Sequence, residues 1–276
     1  MRPDLSERRG LSKSLLASFD LCAQKAWLTK WHRRPFIPSE KTTFGNAVDR
    51  GVQAIAEYHR MGRKPNMGRA LRLAKLRAEE SGPGLVTDYA EVQLALERFE
   101  SDMAPQFDWS AVITQHHFHE DLPGIGEIDG HPDLIWPADE DMVGDVKTAG
   151  RMKDTARTIE AGVYTLCREQ ETGRPVREFV YLVWVRLKVP VWRIASTFIG
   201  DEFREWTRER IEAFVRADKL DDHVNERRIA LGLEPENWTM PSGPKNGGLC
   251  RTCEHNPQLG GACRMAVLDP IPGGGE

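Results

Sequence analysis

The sequence has no long hydrophobic run, few cysteines and little net charge. No stretch of about 18 consecutive apolar residues occurs in it, so no segment predicts a membrane-spanning helix. The charged N-terminus, MRPDLSERRG, leads into no apolar segment of the kind found in signal peptides. We therefore expect a soluble, cytoplasmic protein without a membrane partner. Of the 276 residues 40% are apolar, which is enough to bury a sizeable core.

The charge that is present is unevenly distributed. The formal net charge of −4 would argue weakly against a polyanion partner if it were spread evenly. Residues 1–80, however, contain 17 Lys and Arg against 8 Asp and Glu, a balance of +9, which leaves −13 for the remainder. This asymmetry favours a basic lobe beside an acidic, metal-collecting lobe, although charge runs also occur on simple solvated surfaces.

The most informative stretch of the sequence covers residues 126–150, GEIDGHPDLIWPADEDMVGDVKTAG. Its pattern predicts a strand over 128–136, an acidic loop with a proline over 137–141, and a second strand over 142–147. The stretch therefore predicts a β-hairpin.

Three charged side chains are predicted to meet in this hairpin. Asp145 and Lys147 are two residues apart, so they share one face of their strand while Val146 points into a core. Asp133, near the end of the first strand, can lie across from them. Two carboxylates and one ammonium at a sheet edge suit a hard divalent cation and phosphodiester hydrolysis, although Asp-x-Lys alone is also typical of a solvated strand.

These segments resemble motifs of a known enzyme family. GHPDLI at 130–135 and DVKT at 145–148 resemble the second and third motifs of the PD-(D/E)XK nuclease superfamily, in the branch that contains the RecB-type and Cas4-type exonucleases. In that branch a helix carrying Q-x-x-x-Y follows. Here Glu160 and Tyr164 stand at that spacing, with glutamate where glutamine is usual.

The resemblance implies a role for each motif residue. Asp133, Asp145 and the carbonyl of Val146 would hold Mg²⁺ or Mn²⁺. Lys147 would position the attacking water or stabilise the developing negative charge. Two further residues would assist the site or contact the DNA strand: Glu160 and Tyr164.

A helix upstream supplies a further candidate ligand. Residues 45–55 predict a helix whose apolar residues recur at helical spacing: Phe44, Val48, Val52 and Ile55. The matching helix of the family carries G-x-x-x-H, and its histidine is a metal ligand. This sequence has Asp49 at that position, and aspartate also ligates Mg²⁺ or Mn²⁺. The resemblance thus implies Asp49 as a ligand, while a weakened site or a misaligned helix would also explain the difference.

The remaining periodicities predict an α/β order along the chain. The predicted elements are a hydroxyl-capped helix over 11–19, helices over 61–104 with a break at 81–84, a strand over 111–119, a helix over 154–171, strands over 179–185 and 191–195, and a helix over 202–219. We expect a restriction-endonuclease-like mixed central sheet flanked by helices, with an N-terminal helical region and a C-terminal metal-cluster tail. No linker divides the pattern, so residues 1–276 are expected to form a single nuclease domain with a helical insertion at about 50–105.

Histidines in the strand predicted over 111–119 allow a zinc site as one interpretation: His116, His117 and His119. Neighbouring residues on a strand point to opposite faces, and no H-E-x-x-H motif or cysteine accompanies them. The pattern therefore gives little support to zinc.

Cysteines cluster near the C-terminus. Three of the five lie within fourteen residues: Cys250, Cys253 and Cys263. C-x2-C in a loop of an intracellular protein is more typical of a metal site than of a disulfide. Zinc or a cubane cluster needs four thiolates, so Cys22 is the candidate fourth, while Cys167 is predicted to be a core residue. The arrangement resembles the iron–sulfur staple of part of the RecB, AddB and Cas4 branch, which implies a [4Fe–4S] cluster closing the tail at about 241–265 onto Cys22; Zn²⁺ and unligated thiols are the alternatives.

The resemblance implies a metal-dependent DNA nuclease. We expect an exonuclease on single-stranded DNA or duplex ends, active in recombination, repair or mobile-element DNA processing, with a recombination or helicase protein as partner. The alternative is a non-catalytic DNA-binding or structural subunit that keeps the fold and the cluster. The presence of Asp133, Asp145 and Lys147 favours catalysis, and the loss of the motif histidine at Asp49 favours the alternative.

Overall fold

The computed structural model describes residues 11–22, 26–28, 38–86, 88–150, 158–233 and 236. The helices within them are α1 (Lys13–Leu21), α2 (Glu40–Arg60), α3 (Met67–Ser81), α4 (Ala90–Arg98), α5 (Ile159–Thr172) and α6 (Asp201–Ala230). A π-helical turn (Phe99–Met103) and a 3₁₀ turn (Ala104–Gln106) follow α4. None of the described helices is both long and apolar enough to span a bilayer.

Polar side chains begin several of these helices. The Ser12 hydroxyl accepts a hydrogen bond from Leu15 N at the start of α1, and Ser39 accepts one from Thr42 N at the start of α2. Asn66 and Thr158 do the same for α3 and α5. Such caps satisfy backbone donors that have no partner inside the helix. The hydroxyl cap predicted for the first helix is thereby confirmed.

The strands form two mixed sheets. They are β1 (Leu11–Ser12), β2 (Ile113–Thr114), β3 (Phe118–Leu122), β4 (Gly126–Gly130), β5 (Leu134–Trp136), β6 (Asp141–Ala149), β7 (Val176–Val185) and β8 (Val191–Phe198). The five-stranded sheet has the order β2-β5-β6-β7-β8, with β6 and β7 parallel and the other neighbours antiparallel. The three-stranded sheet has the order β1-β4-β3. The expected α/β fold, with mixed sheets flanked by helices, is confirmed.

Two predicted strands are each broken in the structure. The strand predicted over 128–136 ends at Gly130 and resumes at Leu134, and its two halves belong to different sheets. Pro132 lies in the break and has no N–H to donate to a ladder. The strand predicted over 111–119 is likewise divided into β2 and β3, and Gln115 between them has a φ of 55°, outside the range of a strand.

The helix predicted over 45–55 spans Glu40–Arg60, and two further predicted helices also have other bounds. The helix predicted over 154–171 begins at Ile159 after its cap, and residues 154–157 lie outside the described part of the chain. The helix predicted over 202–219 continues to Ala230. These differences concern helix ends, which apolar periodicity alone fixes poorly.

The chain folds into two compact units. The first comprises Met1–Pro35, Glu120–Asp129 and Glu205–Glu276, and the second Phe36–His119 and Gly130–Arg204. In the first, the Trp27 indole N–H donates to Asp221 Oδ2 at 2.7 Å, and Phe19 packs edge-to-face on Phe214. That residues 1–276 form a single domain stays a prediction.

An extensive apolar core lies in the second unit. Helices α2 and α4 contact the five-stranded sheet and α3 packs on both of them. Val48 and Val52 of α2 and Leu96 of α4 lie in the same apolar cluster as Leu182 and Trp184 of β7. The predicted apolar stripe of α2 is confirmed, because its members are all buried: Phe44, Val48, Val52 and Ile55. The helices of the predicted insertion thus form a layer in which α2 and α4 contact the sheet. This layer fixes α2 against the strands that carry the predicted acids.

Candidate active site

Strand β6 presents the Asp-x-Lys pair as the alternation predicts. Asp145 Oδ2 forms an ion pair with the Lys147 ammonium, and only 2% of the Asp145 side chain is exposed against 39% for Lys147. Val146 between them is buried in the apolar cluster. The shared face of Asp145 and Lys147 and the inward direction of Val146 are confirmed.

Asp133 reaches the same place from the break before β5. The last pair of the β5–β6 ladder joins Leu134 to Gly144, so the backbone of Val146 lies beyond the end of β5. The Val146 N–H donates to Asp133 Oδ2 at 2.7 Å, so a carboxylate takes the position of the next backbone acceptor. The broken strand thus brings Asp133 to the Asp-x-Lys pair.

Helix α5 contributes Glu160 and Tyr164 in different ways. Glu160 Oε1 lies 3.2 Å from Lys147 Nζ, so the lysine lies between two carboxylates. The Tyr164 hydroxyl instead donates to the backbone carbonyl of His131 at 2.7 Å, within the segment that leads to Asp133. A Cβ at Gly130 would lie 2.9 Å from the Tyr164 ring, so only glycine leaves room for this approach.

Helix α2 brings Asp49 into the electrostatic range of these acids. Asp49 Oδ1 accepts a hydrogen bond from Gln53 Nε2 at 2.7 Å, one turn along the helix. Burial and the negative charge of Asp145 raise the pKa of Asp49 to about 6, although the Gln53 bond and Lys147 act in the opposite direction. Asp49 therefore lies close enough to Asp145 and Lys147 to interact with their charges, and its role as a ligand stays a prediction.

The acids round Asp145 repel one another. Burial raises the pKa of Asp133 well above its usual range, and the charges of Asp145 and Asp49 raise it further. Burial would lower the pKa of the Lys147 ammonium, but Asp145 and Glu160 outweigh burial and raise it. Lys147 is therefore protonated, and its one positive charge faces four carboxyl groups. This imbalance favours the binding of a further cation.

The donor set fits a hard divalent cation by its chemistry. Its oxygen donors are those that Mg²⁺ and Mn²⁺ prefer: the carboxylates of Asp49, Asp133 and Asp145 and the backbone carbonyl of Val146. In the described part of the chain, no three His, Cys, Asp or Glu side chains already surround one point as metal ligands. Asp145 instead contacts Lys147, so binding a cation requires the carboxylates to turn toward it. The ligand roles of these residues stay a prediction.

The structure adds three residues that the sequence motifs do not indicate. Tyr181 of β7 lies opposite Asp145 in the ladder, and its hydroxyl donates to Glu160 Oε2 at 3.0 Å. Gln53 holds Asp49, and Thr158 lies 2.7 Å from the Tyr181 hydroxyl. The helical spacing of Asp49 and Gln53 was visible in the sequence, but no local signal placed Tyr181 beside Asp145.

The three histidines do not assemble into a metal site among the described residues. His116 Nε2 lies 2.7 Å from Glu171 Oε1, and His117 stacks on His131 with ring centroids 4.1 Å apart. The interpretation of His116, His117 and His119 as a zinc site is therefore not supported.

The predicted cysteine cluster lies largely outside the described residues, which contain none of the tail cysteines: Cys250, Cys253 and Cys263. Cys22 ends helix α1 with its N–H bonded to Ser18 O at 2.8 Å, and it is partly buried. Cys167 is fully buried, which confirms it as a core residue. The cluster stays a prediction.

Comparison with known proteins gives a match in fold. No family model and no curated protein matches the sequence. A solved structure from Eubacterium rectale, described as a “putative exonuclease”, has a TM-score of 0.52 and 14% sequence identity, and the alignment covers 95% of this chain and 90% of that chain. A second solved structure, of the protein SSO0001, has a TM-score of 0.34 and 10% identity, with 93% and 96% of the two chains covered; this score is too low for any conclusion. The first match shows a shared fold.

Proposed function

We propose that this protein is a divalent-metal-dependent DNA nuclease. The observation that carries the proposal is the bond from Val146 N–H to Asp133, which joins the break before β5 to the Asp145-x-Lys147 strand. Through it, acids distant in the sequence share one buried site with a single lysine. The shared fold with the Eubacterium rectale protein supports the same conclusion.

Each group has a role that its surroundings support. Asp133, Asp145, Asp49 and the Val146 carbonyl would hold Mg²⁺ or Mn²⁺, which supplies Lewis-acid activation of the scissile phosphate and of a water molecule. The partly exposed Lys147 would orient the attacking water or stabilise the negative charge that develops on the phosphate oxygens.

Helix α5 supplies the supporting groups. Glu160 contacts the Lys147 ammonium, which also pairs with Asp145. Tyr164 holds the backbone at His131, two residues before Asp133. Burial and the nearby acids raise the pKa of Tyr164, so this phenol stays a hydrogen-bond donor. We assign Tyr164 to the support of Asp133 and Glu160 to the support of Lys147.

The proposed substrate is single-stranded DNA or a duplex end, cleaved as an exonuclease would cleave it. The excess of Lys and Arg in residues 1–80 supports a polyanionic substrate. A recombination or helicase protein is the proposed partner, in recombination, repair or mobile-element DNA processing inside the cell.

The decisive experiment uses end-labelled and internally labelled DNA, single-stranded and duplex, with Mn²⁺, Mg²⁺ or EDTA. We expect metal-dependent hydrolysis that releases the terminal label as short products. Uniform internal cuts would support a nuclease but contradict the exonuclease assignment. Absence of hydrolysis with both metals, from protein that binds DNA, would contradict catalysis.

One observation favours a second candidate, a non-catalytic DNA-binding or structural subunit. The acids in the described residues are not arranged round a common point, and Lys147 contacts both Asp145 and Glu160. Such a closed network would keep the fold without the chemistry. Calorimetric titration with Mn²⁺ separates the two candidates, because a nuclease binds the ion and Asp145→Ala weakens that binding, whereas a structural subunit shows neither effect.

We retain the [4Fe–4S] cluster as a proposal for Cys22, Cys250, Cys253 and Cys263, with Zn²⁺ as the alternative. Anaerobically purified protein should be brown and contain iron, and Cys22→Ser should reduce both the iron content and the melting temperature. Cys167→Ser is the matched control for the iron content, which it should leave unchanged, because Cys167 is a buried core residue. A colourless protein with one zinc per chain would contradict the cluster, and iron retained in Cys22→Ser would contradict the fourth ligand.

A further inference from the structure

Glu160 is held by two donors, and one of them belongs to no sequence motif. Its Oε1 faces Lys147 Nζ at 3.2 Å, and its Oε2 accepts from the Tyr181 hydroxyl at 3.0 Å. Tyr181 is 7% exposed and stands opposite Asp145 in the parallel β6–β7 ladder. The two oxygens of one carboxylate are thus divided between the lysine and this tyrosine.

The direction of the hydrogen bonds round Tyr181 follows from the chemistry of its partners. The carboxylate of Glu160 only accepts, so Tyr181 gives it the single hydroxyl hydrogen. In the 2.7 Å contact with Thr158, the Thr158 hydroxyl must then be the donor. Thr158 Oγ1 also accepts the Ala161 N–H at 3.1 Å as the cap of α5. A continuous chain of donors therefore runs from the first turn of α5 through Thr158 and Tyr181 to Glu160.

The ring of Tyr181 also contacts the surroundings of the lysine. Lys147 Nζ lies 5.8 Å from the ring centroid, inside the range of about 6 Å in which a cation is attracted by an aromatic face. Burial and the charge of Glu160 raise the pKa of Tyr181, so its hydroxyl stays protonated and remains a donor. Tyr181 therefore acts on Lys147 directly through its ring and indirectly through Glu160.

We infer that Tyr181 is a positioning residue for phosphodiester hydrolysis, which fixes the Glu160 carboxylate and through it the Lys147 ammonium. The inference rests on the proposed nuclease function. It predicts that the Tyr181 hydroxyl affects the chemical step, because Lys147 acts there, and leaves DNA binding and metal binding unchanged.

Tyr181→Phe tests this by removing only the hydroxyl. A hydrogen bond to a charged group is strong enough that kcat should fall about tenfold, while KM for DNA and the half-saturating Mn²⁺ concentration stay within about twofold. Tyr89→Phe is the matched control, because the Tyr89 hydroxyl bonds to Glu79 on the exposed surface of the protein, and it should leave kcat unchanged. An unchanged kcat in Tyr181→Phe, or a loss that lies wholly in KM, would overturn the inference.

A double-mutant cycle tests whether Tyr181 acts through Glu160. Glu160→Ala removes the acceptor, so adding Tyr181→Phe to it should lower kcat by less than about twofold more. A further tenfold loss in the double variant would show an effect that bypasses Glu160 and would overturn the proposed route. Thr158→Val removes the hydroxyl that donates to Tyr181 and should also lower kcat. Thr158→Ser keeps a hydroxyl and should have a kcat close to that of the wild type.

An NMR measurement that does not depend on hydrolysis separates this inference from the proposed function. The ¹⁵Nζ resonance of Lys147, assigned by its absence in Lys147→Arg, should move in Tyr181→Phe and not in Tyr89→Phe. If the wild-type protein does not hydrolyse DNA, the proposed function fails while this measurement still tests the positioning. A Lys147 resonance that is identical in wild type and Tyr181→Phe overturns the positioning even in an active nuclease.

Discussion

The start and the middle of strand β6 carry different balances of buried charge. At its start, Asp141 is fully buried and faces two cations: Arg168 Nε lies 2.6 Å from its Oδ2, and Arg174 lies 3.5 Å away. The Ala138 N–H also donates to Asp141 Oδ1 at 2.9 Å. At its middle, Asp145 shares one lysine with Glu160 and is repelled by Asp49 and Asp133.

The difference shows how a buried carboxylate can be structural or functional. A buried charge with its counter-charges and hydrogen bonds in place stabilises one arrangement of the chain and needs nothing more. A group of acids with too little positive charge is costly to fold, so it is expected where a ligand completes the balance. Substitutions at Asp141 should therefore mainly lower stability, whereas substitutions at Asp145 should mainly lower activity.

The largest expected effect is the loss of hydrolysis when Asp145 or Lys147 is replaced. Asp145→Ala removes a proposed ligand, so activity should fall below detection and Mn²⁺ binding should weaken. Lys147→Ala should keep Mn²⁺ binding but lower kcat by about 10²-fold or more, because charge stabilisation is lost. Single-turnover rates and calorimetric Mn²⁺ titration separate the two variants, and full activity in Asp145→Ala would contradict the site.

The next largest effect is on stability, at the start of the strand. Asp141→Ala leaves the buried Arg168 with its pair to the partly exposed Glu171 but without its fully buried carboxylate, which should lower the free energy of unfolding by about 3–5 kcal/mol. Below the new melting temperature the remaining activity should be close to wild type. Urea denaturation measures the change. Asp102→Ala, in an exposed pair with Arg98, is the control and should lower the free energy of unfolding by less than about 1 kcal/mol. Equal losses of stability in the two variants would mean that Asp141 stabilises the fold no more than a surface acid does.

Asp49→Asn should stabilise the metal-free protein while impairing its metal use. With the pKa raised from 3.8 to about 6, folded Asp49 keeps a proton that the unfolded chain has lost. Its contribution to stability therefore falls as the pH rises from about 4 to about 6 and stays low above that. Removing the charge should raise the melting temperature by a few degrees at pH 8, and by about half as much at pH 5.

The same variant should need about tenfold more Mn²⁺ for half-maximal activity, and Asp49→His should preserve Mn²⁺ use. Thermal melts in EDTA and activity titrations measure the two effects. Asp139→Asn, in an exposed loop, is the control and should change neither. An unchanged Mn²⁺ titration in Asp49→Asn would mean that α2 does not supply a ligand.

The smallest expected effect concerns Arg77 on α3. Its positive charge lowers the pKa of Asp49, but half of its side chain is exposed, so salt screens it. Because Arg77 also repels a bound cation, Arg77→Ala should lower the half-saturating Mn²⁺ concentration about twofold at low ionic strength and leave it unchanged in about 0.5 M salt. Arg72→Ala, on the exposed side of the same helix, is the control. A salt-independent change would show that Arg77 acts by contact.

Local rules predicted the parts of the site that lie on one element. The alternation of β6 placed Asp145 and Lys147 together, and the helical period of α5 placed Glu160 one turn from Tyr164. The stripe of α2 was equally visible. In each case the period of a single strand or helix decides the direction of the side chain.

The features that the sequence did not predict depend on contacts between distant segments. Pro132 indicates a possible break in the strand predicted over 128–136. The local pattern does not show that the two halves belong to different sheets. Tyr181 could not be found because its place opposite Asp145 depends on the register of parallel strands. Register between separate segments follows from the whole core.

The bond between the Val146 amide and Asp133 also gives a way to observe assembly of the site. Most amides of β6 exchange with solvent deuterium only when the sheet opens, because their acceptors are backbone carbonyls of neighbouring strands. The Val146 amide is protected by a side chain, so it should exchange whenever Asp133 swings away, even while the sheet remains closed. Its exchange rate, compared with that of its neighbours in β6, would measure how often the folded protein holds Asp133 in place.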